Sequence, residues 1–227
     1  MKVAAVLKIF VAASFAVSTM AGAQTGTRIG PPPAAIPDTA KNSGQLSRQT
    51  LRGFAECSVR KDRARVERYL ATIPGTSEAE KLGRGLSTDD CLSRGEIRFN
   101  EQLLRWSFYD LYYRQRFAGQ GPVDFSAYPP FDLTSASAQS QSGALMEMGD
   151  CIVRKSGAGS RELALSPVTT KTEDRAFAAL MPMISACVPK DSQVTFSKIV
   201  LRGLIVEALY KMSSNTADGA AAGSVAK

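Results

Sequence analysis

The sequence contains no histidine. Its 227 residues include 28 Lys or Arg and 21 Asp or Glu, which gives a formal net charge of +7. The absence of histidine excludes Ser–His–Asp and Cys–His catalysis, His-ligated zinc and a histidine pH switch. Hydrophobic residues make up 44% and charged residues 22% of the chain, a balance that is typical of a folded protein.

Long apolar runs are scarce and are confined to the N-terminus. A positively charged start and the apolar run Ile9–Val17 precede the small residues Ala21-Gly22-Ala23. This order predicts a secretory signal peptide over residues 1–23, with cleavage between Ala23 and Gln24. The alternative, an uncleaved membrane anchor, needs about 20 apolar residues. We therefore expect a periplasmic or secreted protein with no transmembrane segment in its mature chain.

Closely spaced cysteine pairs are absent as well. The four cysteines are far apart in the sequence, at Cys57, Cys91, Cys151 and Cys187. This spacing disfavours an all-cysteine zinc site and a C-x-x-C redox site. Four cysteines in an exported chain instead predict two disulfide bonds.

Three segments rich in small, polar or proline residues divide the mature chain. They predict a flexible leader at 24–44, an irregular linker at 117–142 and a flexible tail at 213–227. Between them lie two helical units, at 45–116 and 143–212.

The two units match each other at nearly constant offsets. A first block aligns with residues 94 positions later, and it contains Leu51, Phe54, Glu56, Cys57, Val59, Arg60 and Lys61. A second block, which includes Leu104, Arg105 and Asp110, aligns with residues 97 positions later. Chance matching is the alternative, but two ungapped blocks with both cysteines in the same order favour an internal repeat.

Each unit is predicted to be helical, because apolar residues recur at helical spacing around its first cysteine. Asp62 and Asn100 are suitable N-caps for later helices of the first unit. The helix that corresponds to the one after Asp62 is expected to be weaker in the second unit, where Ser156–Ser160 is rich in glycine. The predicted fold class is all-α, with two similar small helical units joined by an irregular linker.

The repeat favours one disulfide within each unit, Cys57–Cys91 and Cys151–Cys187. Either bond closes a loop of about 35 residues and stabilises its unit by roughly 3–4 kcal/mol in the chain-entropy model. This matters for a unit of about 70 residues, whose core is small. Pairing between the units also respects the repeat and is the alternative.

Two arginines lie in apolar surroundings. Arg105 follows Leu103-Leu104, and Arg202 follows Val200-Leu201. A guanidinium in such a place is a candidate for bidentate binding of a carboxylate or phosphate ligand. The alternative is a structural role, in which each arginine caps backbone carbonyls or pairs with an acid of its own unit.

The densest group of basic residues lies in the first unit, and we refer to it as the basic cluster. It consists of Arg60, Lys61, Arg63, Arg65 and Arg68. The cluster is a candidate site for anionic lipid headgroups or glycans, and the alternative is an ordinary solvated helix face. Loss of the signal peptide lowers the net charge from +7 to +5, so we expect no specific nucleic acid partner.

No catalytic residue, metal site or cofactor is predicted. The chain lacks P-loop, G-x-G-x-x-G and G-x-S-x-G motifs. Paired carboxylates are the remaining common catalytic solution without histidine, and Asp89-Asp90 is the adjacent pair in the units. The matching Ser185-Ala186 of the second unit has no acid. A histidine-free carboxylate hydrolase is therefore only the third functional hypothesis.

The first unit resembles a group of uncharacterised exported bacterial proteins. The resemblance rests on the run from Glu56 to Lys61, then Ala71–Gly75, Cys91 and a closing helix through Leu104-Arg105. Those proteins carry one or more two-cysteine helical units and bring no established activity. The resemblance covers 45–116 well and the second unit less well, and it implies export, disulfides and a repeat.

The leading functional hypothesis is a non-enzymatic binding or envelope-associated module, with a protein or an anionic envelope component as its partner. The alternative is a binder of anionic lipid headgroups or glycans that uses the basic cluster.

Overall fold

The computed structural model describes residues 43–92, 100–130, 143–188 and 196–224. Within these ranges the chain forms eight helices and no strand. The predicted all-α class is therefore confirmed. The predicted signal peptide, and all of the leader up to residue 42, lie outside the described residues.

Each unit contributes four helices. Those of the first unit are α1 (Ser43–Ala71), α2 (Ser77–Leu86), α3 (Asp89–Leu92) and α4 (Glu101–Phe117). Those of the second unit are α5 (Gly143–Lys155), α6 (Gly157–Leu165), α7 (Lys171–Cys187) and α8 (Lys198–Ser224). Residues 118–130, the described part of the predicted linker, form no helix.

A residue with non-helical backbone angles interrupts the first helical segment of each unit at matching positions. Within α1, Asp62 has φ −151° and ψ 77°, and its Oδ1 accepts a hydrogen bond from the backbone N–H of Arg65 at 2.9 Å. The predicted N-cap role of Asp62 is thus confirmed. Ser156, 94 residues later, has φ −154° and ψ 76° and separates α5 from α6.

The glycine-rich segment after Ser156 forms a complete helix, so the expectation of a weaker helix there is wrong. Its glycines permit close packing. A Cβ on Gly159 would meet Leu180 Cδ2 at 3.0 Å, and a Cβ on Gly157 would collide with the carbonyl of Val123. Tertiary contacts of this kind outweigh the low helix propensity of glycine.

One disulfide lies within each unit, which confirms the favoured pairing. Cys57 in α1 is bonded to Cys91 in α3, 34 residues later, and Cys151 in α5 is bonded to Cys187 at the end of α7, 36 residues later. The alternative of pairing between the units is therefore wrong. Structural disulfides persist in oxidising surroundings, which suggests a non-reducing, extracellular environment.

The two units pack against each other, and α4 supplies rings to two adjoining hydrophobic clusters. Phe108 and Tyr112 pack into the core of the first unit, whereas Trp106 and Tyr109 pack among residues of the second unit. The most extensive contact between helices is that of α4 with α8. Gly203 in α8 permits this approach, because a Cβ at that position would collide with the Trp106 ring.

The helix α8 extends beyond the predicted end of the second unit at residue 212. It continues to Ser224, so most of the predicted flexible tail is helical. Ser213 is buried, and Asn215 Nδ2 donates a hydrogen bond to Tyr128 Oη at 2.8 Å. These contacts prolong the packed face of α8, and the alanines that follow favour continuation of the helix.

Candidate functional site

Arg105 closes the C-terminal end of α1. Its Nη1 donates to the carbonyl of Tyr69 at 3.0 Å, and its Nη2 donates to the carbonyls of Leu70 at 2.7 Å and Thr72 at 2.8 Å. The residue is only 2% exposed. The last carbonyls of a helix have no partner within it and carry the negative end of the helix dipole. A buried guanidinium at this point satisfies both requirements.

Arg202 closes the C-terminal end of α6 in the second unit in the same way. Its Nη1 donates to the carbonyl of Leu163 at 3.0 Å, and its Nη2 donates to the carbonyls of Ala164 at 3.0 Å and Ser166 at 3.1 Å. These acceptors lie 94 positions after those of Arg105. Both side chains therefore act as the structural alternative describes, and ligand binding by either one stays a prediction.

Arg202 also belongs to a buried ion network that joins the two units. Its Nε and Nη2 donate to Asp110 Oδ1 of α4 at 2.9 and 2.7 Å, and its Nη1 donates to Glu173 Oε1 of α7 at 2.9 Å. Arg48 of α1 contacts both oxygens of Glu173. Arg114 Nε donates to Asp110 Oδ2 at 3.2 Å. The network thus crosses between the units at two places.

The network keeps Glu173 ionised. Burial raises the pKa of the Glu173 carboxyl, but the hydrogen bonds and charge of Arg48, a hydrogen bond from the Thr169 N–H and the charge of Arg202 outweigh it and lower the pKa. Burial also lowers the pKa of Arg114, and Arg202 acts in the same direction against the opposing effect of Asp110. The positively charged guanidinium groups of Arg114 and Arg202 are therefore close enough to repel each other.

Sequence reasoning missed Arg48, Asp110 and Glu173 as partners of Arg202. One signal was present. Residue 79 of the first unit, 94 positions before Glu173, is Ala79, and both residues are fully buried. An acidic residue in one unit at a position where the other unit has alanine indicates that the acid has an interaction that the other unit lacks.

The basic cluster is largely neutralised by neighbouring acids. Three of its members form ion pairs, which are Lys61–Asp90, Arg63–Glu67 and Arg65–Asp62. Arg60 and Arg68 are exposed and form no ion pair with any residue that the structure describes. Two cations therefore remain for an anionic partner.

Only Asp90 of the Asp89-Asp90 pair has a described side chain. Its carboxylate accepts a hydrogen bond from Lys61, and this bond together with the Lys61 charge lowers the pKa of Asp90.

A cavity of about 50 Å³ lies between the units, and we refer to it as the seam cavity. It is bounded by α1, α4, α8 and the turn before α7. Its lining is formed by Arg48, Leu51, Arg52, Leu103, Trp106, Ser107, Asp110, Val168, Ile199, Arg202, Gly203 and Val206.

A larger cleft of about 310 Å³ lies along the middle of α8, and we refer to it as the α8 cleft. It is lined by Tyr128, Pro129, Pro130, Met146, Asp150, Glu207, Ala208, Lys211, Met212 and Asn215. Lys211 Nζ donates to Glu207 Oε1 at 2.6 Å. Burial lowers the pKa of Lys211, but the Glu207 carboxylate outweighs that effect and raises it. The amine therefore stays protonated.

The two carboxylates of the α8 cleft are buried and paired. Glu207 Oε2 accepts hydrogen bonds from Trp106 Nε1 at 2.8 Å and Gln102 Nε2 at 3.1 Å, and Asp150 Oδ2 accepts one from Arg154 Nε at 2.7 Å. Fixed charges of this kind suit the positioning of a ligand.

Comparisons with protein-family models, curated proteins and solved structures found no match to this chain. Among the helices in the described ranges, none combines the length and apolar character needed to cross a membrane.

Proposed function

We propose that the protein is an exported, non-enzymatic binding module that holds its ligand in the α8 cleft. One observation carries the proposal: a cleft of about 310 Å³ combines apolar walls with an ammonium group and two buried carboxylates. Ligand sites are usually concave and mainly apolar, with a few placed polar groups that set orientation.

The side chains of the cleft indicate the class of ligand. The Lys211 side chain is 40% exposed and uses one of its three donors on Glu207, so donors remain for an acceptor on the ligand. Met146 and Met212 supply adaptable apolar walls. We therefore infer a peptide segment of a partner protein, with apolar side chains next to an acidic or carbonyl acceptor.

The experiment is a titration of the purified protein with short peptides that combine apolar and acidic residues. The chemical shifts of residues in the α8 cleft are monitored by NMR. We expect Lys211→Gln to weaken binding about tenfold, the loss of one charge-assisted hydrogen bond. The matched control is Lys155→Gln, an exposed lysine on α5, which should bind as the wild type does. Binding that is unchanged in Lys211→Gln would contradict the site. If the NMR spectrum changes only with acetamido-sugar oligomers and with none of the peptides, the ligand is a glycan and not a peptide.

The proposal includes export, with a mature chain that begins at Gln24 in the periplasm or the medium. The two disulfides support an oxidising location. Intact mass measured on protein from envelope and medium fractions tests this directly. A chain that still begins at Met1 would contradict it.

The alternative function, binding of anionic lipid headgroups or glycans, draws support from the two unpaired cations of the basic cluster. We expect a weak association with anionic vesicles that falls as salt rises. The Arg60→Gln/Arg68→Gln variant should lose this association, while Lys171→Gln/Arg175→Gln, two exposed cations on α7, should keep it. Salt-independent association would contradict the electrostatic mechanism.

We also propose that the two units form an internal repeat and that the chain is related to the exported two-cysteine proteins that its first unit resembles. The shared backbone angles at Asp62 and Ser156 support a repeat, as do the matching carbonyl caps of Arg105 and Arg202.

A further inference from the structure

The seam cavity lies next to an unbalanced group of buried charges. Its lining includes Arg48 and Arg52, one turn apart on α1, together with Asp110 and Arg202. The Arg48 and Arg202 side chains are 13% and 6% exposed. Charged groups at this depth are costly unless opposite charges compensate them.

The compensation within the chain is incomplete. The network contains three guanidinium groups, on Arg48, Arg114 and Arg202, and two carboxylates, on Asp110 and Glu173. Arg52 pairs with Glu56 outside the network and leaves the sum unchanged. The carbonyls at the end of α6 supply only the partial negative charge of a helix terminus. The network therefore carries one formal positive charge more than its carboxylates compensate, and two of its guanidinium groups, those of Arg48 and Arg202, line the cavity.

The other walls of the seam cavity are mainly apolar. Leu51, Leu103, Ile199 and Val206 face it from three helices, and Trp106 forms a further wall. A ligand that fits this environment has one negative charge and an aliphatic part. An inorganic anion satisfies the charge but leaves the apolar walls uncovered.

We propose that the seam cavity binds a small aliphatic monocarboxylate of two or three carbon atoms, with its carboxylate on Arg52 and Arg48. The size follows from the volume: one water needs about 10–15 Å³ of such space, so about 50 Å³ holds only a few heavy atoms. Arg52 uses its Nε on Glu56, which leaves its Nη groups for the ligand. This site differs from the α8 cleft and does not depend on it.

The single tryptophan of the chain makes the proposal testable, because Trp106 lines the cavity. The purified, disulfide-bonded protein is titrated at constant ionic strength with acetate, propionate, butyrate and benzoate, and the C–H resonances of the Trp106 ring are followed. We expect saturable binding in the millimolar range that strengthens from acetate to propionate. Benzoate is larger than this space and should bind more weakly than propionate.

One uncharged compound and two variants test whether binding depends on the carboxylate and on Arg52. Propionamide has the size of propionate without its charge and should not bind. Arg52→Gln should weaken propionate binding about tenfold, as expected for one charge-assisted hydrogen bond. Arg84→Gln removes an exposed arginine that also pairs with a glutamate four residues away, and it should bind like the wild type. Circular dichroism verifies that both variants are folded.

Several outcomes would overturn the proposal. These are no shift with any carboxylate, an equal response to propionamide, or binding by Arg52→Gln as tight as that by Arg84→Gln. An identical saturable shift with chloride would mean that the cavity binds monovalent anions without selectivity. This outcome would also overturn the proposal.

Discussion

The Glu173→Gln substitution tests the buried ion network with a change of almost no volume. In the wild type, the Glu173 carboxylate accepts hydrogen bonds from Arg48, from Arg202 at 2.9 Å and from the Thr169 N–H at 2.9 Å. The Glu173 side chain is 1% exposed, so water cannot replace these partners. A glutamine keeps one acceptor oxygen and points an amide N–H group at the others.

The expected loss of unfolding free energy is about 3 kcal/mol. Breaking a buried ion pair by removing one charge costs roughly 3–5 kcal/mol, because the other charge stays buried without its partner. The lower end applies here, since the amide oxygen still accepts one hydrogen bond. Denaturant unfolding at pH 7 under non-reducing conditions, followed by circular dichroism, measures the difference.

The matched control is Glu162→Gln, an exposed residue on α6. It should change the unfolding free energy by less than about 0.5 kcal/mol. A Glu173→Gln loss of less than about 1 kcal/mol would refute the network as a source of stability.

The same pair of proteins gives a pH test with a defined sign. The pKa of Glu173 is lower in the folded protein than its ordinary value of 4.5. Its stabilising effect is therefore complete above pH 4.5 and is lost as the pH falls through the folded pKa. The difference between wild type and Glu173→Gln should be constant from about pH 6 to 7 and should shrink below pH 4.5. A difference that grows in acid would contradict this reasoning.

Two further predictions concern packing and the disulfides. Gly203→Ala should destabilise the protein by about 1–3 kcal/mol, because the new methyl group collides with the Trp106 ring. Gly53→Ala, which meets nothing within 4 Å, should be neutral or stabilise slightly, and equal effects in calorimetry would contradict the close packing. Replacement of Cys57 and Cys91 by serine should cost about 3–4 kcal/mol. Calorimetry should still show one transition because rings of α4 pack into the hydrophobic cluster of the second unit, and two transitions would refute that coupling.

Features that depend on short stretches of chain were predicted well. Asn100 was expected to cap the last helix of the first unit, and its Oδ1 accepts a hydrogen bond from the Gln102 N–H at 2.8 Å. Asp62 caps the second half of α1 in the same way. Such caps involve residues two or three positions apart, so their geometry follows from local backbone preferences. The order of the cysteines favoured the disulfide pairing within each unit, and the structure decided it over pairing between the units.

Features that depend on distant parts of the chain were not predicted. The helical continuation through the predicted tail depends in part on contacts such as that of Asn215 with Tyr128, 87 residues earlier. The partners of Arg202 lie 92 and 29 residues away, on different helices. Apart from the difference between Ala79 and Glu173, nothing in the sequence indicates such pairs, because helix packing brings them together.

The sequence by itself determined the all-α class, the absence of histidine and the presence of two helical units that each contain two cysteines. These properties depend on composition, helical periodicity and local order, which any arrangement of the helices preserves. Only the tertiary structure decided that α4 packs on α8, that Arg202 joins acids of both units, and that the seam cavity and the α8 cleft exist. The physical reason is that burial creates these sites, and burial depends on which helix faces meet.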